Sequence, residues 1–361
     1  MNFEGAKTKR VKKRDFRDDE KKIIIALSFF LILTFILIGL YFYLVKGTSS
    51  PQKDKEKPKI IPSKALKVVN ENSDERPLAI MVDNNIGEGK HAGLQNSFVN
   101  YEIIVEGGLT RIMAIYKDED NTLVGPIRSA RHYFLDYALE YDAVYTHFGW
   151  SPKAEEDIEN LNAQNINGMI DDKVFARDKN ISAPHNVFTS TQKLREYFAE
   201  KDYASTTKSW NVLNYSVAEI NLNEITEAKE KILLANKVTM NYSRSQNREY
   251  IYDETSKRYL RFMNGKAHFD KETDNQLNYK NIIIMKVENN QIDSEDRQDL
   301  KTVGNGQGYY VTNGYALPIS WEKSTRIAKT KYRYLNGVEI KVNDGNTFIQ
   351  VVPITSNIIF E

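Results

Sequence analysis

The sequence predicts an α+β protein: an N-terminal α/β domain with a mixed sheet, then a mostly antiparallel β domain, preceded by one transmembrane helix. Three observations predict it. Residues Ile23 to Val45 carry no charged side chain. Short apolar runs alternate with helical periodicity from residue 76 to about residue 203. Beyond residue 210, β-rich runs are separated by Asn-Gly and Asp-Gly pairs.

Residues 1–22 form a basic segment, with Lys12, Lys13, Arg14, Lys21 and Lys22 close to the apolar run. A helix rises about 1.5 Å per residue, so about 20 residues cover a ~30 Å hydrocarbon core. Residues 23–45 are long enough, and they predict a bilayer-spanning helix. Short Lys/Arg-rich loops stay cytoplasmic. The expected topology is therefore a single-pass cell-membrane protein with its N-terminus in the cytoplasm and the bulk of the chain extracellular. A cleaved signal peptide is the rival, but its apolar stretch is shorter and ends in small residues. Here the run ends Tyr-Leu-Val-Lys-Gly-Thr. The chain contains no cysteine, which excludes disulfides, a lipidated cysteine, thiolate metal sites and cysteine nucleophiles. A net charge of +1 argues against a dedicated nucleic-acid binder.

Residues 46–75 are rich in Lys, Pro, Ser and Glu and lack apolar periodicity, which predicts a flexible tether. The N-terminal domain is placed at residues 76–215. Leu78–Val82, Tyr101–Val105 and Arg111–Tyr116 read as buried strands, with Gly107-Gly108 between the last two. Ala130, Tyr133, Phe134, Tyr137, Ala138 and Tyr141 share one helical face, predicting a helix over 129–141 with Ser129 as its N-cap. Ala143–Phe148 reads as a strand, and Gly149-Trp150-Ser151-Pro152 turns it into a polar helix around 153–161.

The C-terminal domain is placed at residues 216–361. Asn264-Gly265, Asn313-Gly314, Asn336-Gly337 and Asp344-Gly345 punctuate short β-rich runs, a hairpin pattern. No internal repeat is visible.

The stretches RPLAIMVDN (76–84), YEIIVEGGLTRIMAIY (101–116), VGPIRSARHYFLDYALEYDA (124–143) and HFGWSP (147–152) together resemble the YerB-like family of bacterial cell-surface proteins, built on a domain of unknown function. YALPISWEKS (315–324) and NGVEIKVNDGNTFIQVVP (336–353) are similar to that family's separate C-terminal domain. The resemblance implies a membrane-attached surface protein of two domains. It implies no reaction, substrate or cofactor. Many relatives attach through a lipidated cysteine; this chain departs from that pattern.

Asp83, Glu102, Glu106, Arg111, Arg128 and Arg131 form the densest polar group. Arg128 and Arg131 flank the predicted helix start, where cations oppose the helix dipole and call for negative charge. An external anion is one answer, and helix N-termini and Arg forks both hold phosphate or carboxylate. An internal carboxylate, Glu102 or Glu106, is the other, giving an ion-pair network that locks helix to sheet. The expected ligand-binding residues are Arg111, Arg128, Ser129, Arg131, Glu102 and His185. Catalytic candidates are Glu106, His147 and Asp83, as acid and base. Zinc signatures such as H-E-x-x-H are missing, so no metal site is assigned. Ser129 lacks the G-x-S-x-G elbow of a nucleophile. The acidic stretch Asp293–Asp299 lacks the glycine and terminal Glu of a calcium loop.

The expected function is a membrane-anchored binding or scaffolding protein of the cell envelope. It would hold an anionic or wall-derived ligand or a partner protein, without a cofactor, and touch the bilayer through residues 23–45. A wall-acting hydrolase or transferase is the alternative; the enzyme question stays open, with a binding module favoured.

Overall fold

Strands β1 (Leu78–Asp83), β2 (Val99–Ile104) and β3 (Thr110–Tyr116) are buried along their whole length. Strands covered on both faces read as continuous apolar runs rather than alternating ones. The computed structural model describes residues 16–47, 65–85, 91–119, 122–225 and 231–361. Residues 1–63 and 64–361 are two separate units.

In the first unit, helix α1 (Phe16–Gly47) contains an apolar stretch, Glu20–Leu44, long and apolar enough to cross a membrane. Its serine and threonine hydroxyls are satisfied within the helix: Ser28 Oγ donates to the Ile24 carbonyl and Thr34 Oγ1 to that of Leu31. Such internal pairing is what hydrocarbon demands of a polar side chain.

In the second unit, the elements that matter for the site follow in order: α2 (His132–Glu140), β4 (Val144–His147), α3 (Pro152–Asn160), β5 (Asn165–Asn167), β6 (Val187–Ser190) and α4 (Thr191–Phe198). Beyond residue 215 come β7 (Leu233–Leu234), β8 (Lys237–Ser243), β9 (Gln246–Asp253), β10 (Arg258–Met263), β11 (Asn281–Val287), β12 (Gly304–Thr312), β13 (Tyr315–Lys323), β14 (Lys331–Tyr334), β15 (Thr347–Pro353) and β16 (Ile358–Phe360). The main sheet has eleven strands and runs β7-β13-β12-β11-β15-β2-β3-β1-β4-β5, with β14 beside β13. It is mixed: β1–β4, β4–β5, β2–β15 and β11–β15 are parallel. A second sheet runs from Lys266–Ala267 through β10, β9 and β8 to β16.

The sheet crosses the expected domain boundary at 215/216. Strand β15 lies between β11 and β2, so one sheet draws on both halves of the chain. Its two faces are covered differently. On one, Tyr137 of α2 stacks on Tyr101 with ring centroids 4.8 Å apart, and the Tyr101 hydroxyl donates to Glu140 at 2.8 Å. On the other, Tyr242 of β8 donates to the Glu102 carbonyl and to Gln350.

Both interfaces hold buried ion pairs. Glu102 takes Arg248 Nε at 2.6 Å and Arg261 Nη2 at 2.7 Å, with all three side chains fully buried. Thr110, Asn84 and Gln350 also donate to it. Glu140 takes Lys323 Nζ at 3.0 Å, plus Thr330 through its N–H and hydroxyl. A buried charge persists only when paired and fully hydrogen-bonded, and these are.

Several expectations are corrected. The helix predicted over 129–141 begins at His132, and its N-cap is Arg131, not Ser129. The reason is that the preceding backbone is already committed. Arg128 N donates to the Met81 carbonyl, Phe148 N to that of Arg128, and Ala130 N to that of Gly149. These groups pair as extended chain and cannot also close a helical turn. Residues 65–75 belong to the folded unit rather than the tether: the amides of Lys67 and Val68 donate to the Asp344 carboxylate, and Val69 is buried. Of the rest of the expected tether, residues 46 and 47 end helix α1 and residues 48–64 lie outside the described residues. Asp344-Gly345 is not a hairpin turn but leads into the parallel strand β15. Asn264-Gly265 and Asn313-Gly314 do turn hairpins, with positive φ at all four residues.

Candidate functional site

Three parallel strands, β1, β4 and β5, end side by side at Asp83, His147 and Asn167. In sheets of this kind ligands bind outside the carboxyl ends of the strands. Here those ends open onto a cleft of about 410 Å³ lined by Arg128, Ser129, Phe148, Trp150, Met169 and Arg177, among others.

The cleft is built by three segments. The first is residues 126–130, laced between β1 and the end of β4. Its Pro126 carbonyl accepts from Asp83 N at 2.8 Å, and its Ile127 N donates to Val187 at 2.7 Å. The second is the turn after β4. Gly149 there has φ +77°, a left-handed conformation that glycine adopts without a Cβ penalty, and a Cβ would stand 3.4 Å from Ser129 Oγ. Asn167 fastens this turn by accepting from the amides of Gly149 and Met169. The third is the hairpin from Ala176 to Phe188, whose arms pair Arg177 with Val187 and which carries Pro184 and His185 at its turn.

Two guanidinium groups face this space. Arg128 lies with Nε 3.2 Å from Asp83 Oδ2. Arg177 donates to Asn186 Oδ1 at 2.9 Å and packs 5.1 Å from the Phe148 ring centroid. Among the described residues it has no carboxylate within ion-pair distance. Ser129 Oγ, freed from the capping role, makes no hydrogen bond among the described residues. Met169 is two-thirds exposed at the mouth.

Asp83 sits behind Arg128 and is 2 % exposed. Its Oδ2 takes His185 Nδ1 at 2.6 Å as well as Arg128, and its Oδ1 takes the Asn85 amide.

The structure divides the residues that the sequence grouped. Arg128 and Ser129 line the cleft; Asp83 and His185 adjoin it. Arg131 turns away into a two-pronged pair with Glu106 at 2.5 and 2.7 Å. Burial raises the Glu106 pKa, but Arg131 outweighs it and leaves the carboxyl below its usual range. Arg111 donates to the Ser129 carbonyl at 2.6 Å, and burial together with Arg131 lowers its pKa to about 10. Arg111, Arg131 and Glu106 thus form the internal network. Glu102 is enclosed in the buried cluster with Arg248 and Arg261 and offers nothing to a ligand.

The expected acid–base set does not converge. His147 is fully buried, its Nδ1 contacts the Gly149 carbonyl at 2.8 Å and its Nε2 contacts Asn165 at 3.2 Å. Burial lowers its pKa to about 4. Asp83, Glu106 and His147 share no hydrogen bond or ion pair. No group of three His, Asp or Glu side chains among the described residues is arranged to hold a metal ion.

Phe148, Trp150, Met169 and Arg177 were not singled out from the sequence. The first two lie within HFGWSP, one of the resembling stretches; Arg177 carries no local signal. Another unforeseen pair is buried nearby. His268 Nε2 meets His91 Nδ1 at 2.8 Å, and His91 Nε2 meets the Asp83 carbonyl.

Fold and cleft define a class: an α+β protein with a membrane-length apolar helix and an arginine- and aromatic-lined cleft at the carboxyl ends of parallel strands. The chain belongs to the YerB-like family. Residues 65–204 match "Protein of unknown function (DUF3048) N-terminal domain" and residues 238–349 match its C-terminal domain. It is similar to "Putative lipoprotein YerB" of Bacillus subtilis (strain 168), 28% identical over 295 residues, covering 81% of this chain and 86% of that protein. A crystal structure of YerB protein from Bacillus subtilis is similar at a TM-score of 0.69 and 26% identity, covering 79% of this chain and 94% of the other.

Proposed function

We propose that this cell-envelope-associated protein is an anchored binding module whose cleft holds an anionic, wall-derived ligand. Helix α1 would cross the bilayer with the basic N-terminus inside and residues 64–361 outside. The relative's description as a lipoprotein supports membrane attachment, by a different anchor. The observation that carries the binding reading is Arg177. It lies at a ligand-sized cleft with no carboxylate partner among the described residues, lines that cleft together with Arg128, and packs against Phe148. Guanidinium forks suit phosphate and carboxylate oxygens, and an aromatic wall suits the apolar face of a sugar or polyol.

The test is titration of the full chain in detergent with soluble poly(glycerol phosphate). Arg128→Ala and Arg177→Ala each weaken binding about tenfold, the size of one charge-assisted hydrogen bond. Wild-type affinity falls as salt rises. Unchanged affinity in both variants would sink the reading. For orientation, protease added to intact cells should remove residues 64–361.

The acid–base alternative draws no support from Glu106 and His147, whose polar atoms are occupied inside the fold. It rests on the Asp83–His185 pair alone, and fragments released from purified cell wall would favour it.

A further inference from the structure

The segment after Ala267 belongs to the C-terminal half of the chain, yet it reaches both supports of the cleft. Its first arm runs through His268. That ring meets His91, and His91 meets the Asp83 carbonyl. The same contact is doubled in the backbone: Lys271 N donates to the His91 carbonyl at 2.6 Å, and Asp270 Oδ2 accepts from Gly93 N at 2.8 Å. Asp83 in turn holds Arg128 and His185.

The second arm runs through the Lys271 side chain. Its Nζ lies 2.8 Å from Asp178 Oδ2 and 5.1 Å from the Phe188 ring centroid. Asp178 follows Arg177 directly. Its amide donates to the Asn186 carbonyl at 2.8 Å, and Asn186 Oδ1 receives Arg177 Nη1. Lys271 therefore fastens the hairpin on which Arg177, Pro184 and His185 ride.

One short segment thus fixes the backbone behind Arg128 and the hairpin behind Arg177. From this geometry we infer that residues His268–Lys271 are positioning residues that set the spacing of the two cleft arginines, so that the cleft selects ligands bearing two anionic groups. The inference rests on the binding reading above and goes beyond it in naming the ligand class and the part of the C-terminal domain that enforces it. The Lys271–Asp178 pair is partly exposed, with side-chain exposures of 36% and 20%. Such pairs contribute little to stability, so the pair can be broken without unfolding the protein.

The experiment compares glycerol 3-phosphate with glycerol 1,3-bisphosphate as ligands of the full chain in detergent. Wild type prefers the bisphosphate, because the second group binds at a raised effective concentration. Asp178→Asn is the deciding variant. It removes a negative charge beside Arg177, so charge alone would tighten anion binding. Loss of the clamp instead lowers the bisphosphate preference about tenfold, as expected when two sites no longer match the span of the ligand. Lys271→Ala does the same, Lys271→Arg restores the preference, and melting temperatures stay unchanged. A bisphosphate preference in Asp178→Asn equal to or above that of wild type would overturn the clamp while leaving the binding reading intact. Wild type that binds neither ligand would overturn both.

Discussion

At the scale of single residues, several titratable side chains lie buried, and their burial has measurable consequences. Burial lowers the pKa of His91 and of His147 to about 4. Between pH 6.5 and 4 the unfolded chain binds protons that the folded one does not. Stability is therefore full above pH 6.5 and falls by about 1.4 kcal/mol per pH unit for each such histidine as pH drops to 4. Urea midpoints at pH 7 and pH 5 would show this slope, and His91→Gln should flatten it. Glu119 has the opposite sign. Burial raises its pKa to about 7, and its Oε2 has no hydrogen-bond partner. The folded state then pays for ionisation above pH 4.5, so Glu119→Gln should stabilise the protein at pH 8 by about 2 kcal/mol, allowing for the weakened contact with Arg195. Glu102→Gln should cost about 3–5 kcal/mol in denaturant titration, because Arg248 and Arg261 lose the countercharge that burial demands. The sequence placed Glu102 and Asp83 in its densest polar group, with Glu106, Arg111, Arg128 and Arg131. It could not show that their partners lie as far away as Arg261 and His185, because pairing across that distance is decided by the sheet, not by local spacing.

At the scale of elements, periodicity located most strands of the main sheet and helix α2, since apolar faces are local properties. The missed boundary is instructive. Ser129 and Ser151 both precede a predicted helix, but only Ser151 caps, its hydroxyl accepting from the Ala154 amide. Ser129 lies in a segment whose amides and carbonyls are taken by Met81, Phe148 and Gly149. Tertiary pairing overrode a sound local signal. Ser151→Ala should therefore cost about 1 kcal/mol of stability and Ser129→Ala almost nothing, a contrast that thermal melts can resolve. If Ser129→Ala instead weakens poly(glycerol phosphate) binding while the melt is unchanged, its hydroxyl belongs to the cleft. Arg177 escaped notice because its pairing into a hairpin is visible only once Asp178 and Asn186 have met.

At the scale of the whole molecule, two matched family domains share one sheet, and the charged contacts Glu102–Arg261 and Glu140–Lys323 are drawn from both halves. Residues 65–215 produced alone would leave β2 without β15 and two buried carboxylates without their cations. That fragment should show no cooperative unfolding transition by circular dichroism, and co-production with residues 216–361 should restore one. Strand β15 also imposes a schedule. Gln350 and Glu102 pair although 248 residues separate them. A ribosome therefore delivers the first half of the sheet long before its central neighbour exists. The early half must wait, with a bare strand edge open to other chains, until Thr347–Pro353 has been made. A message cut short just before Thr347 would lose more than a tail, because the keystone of the sheet arrives last.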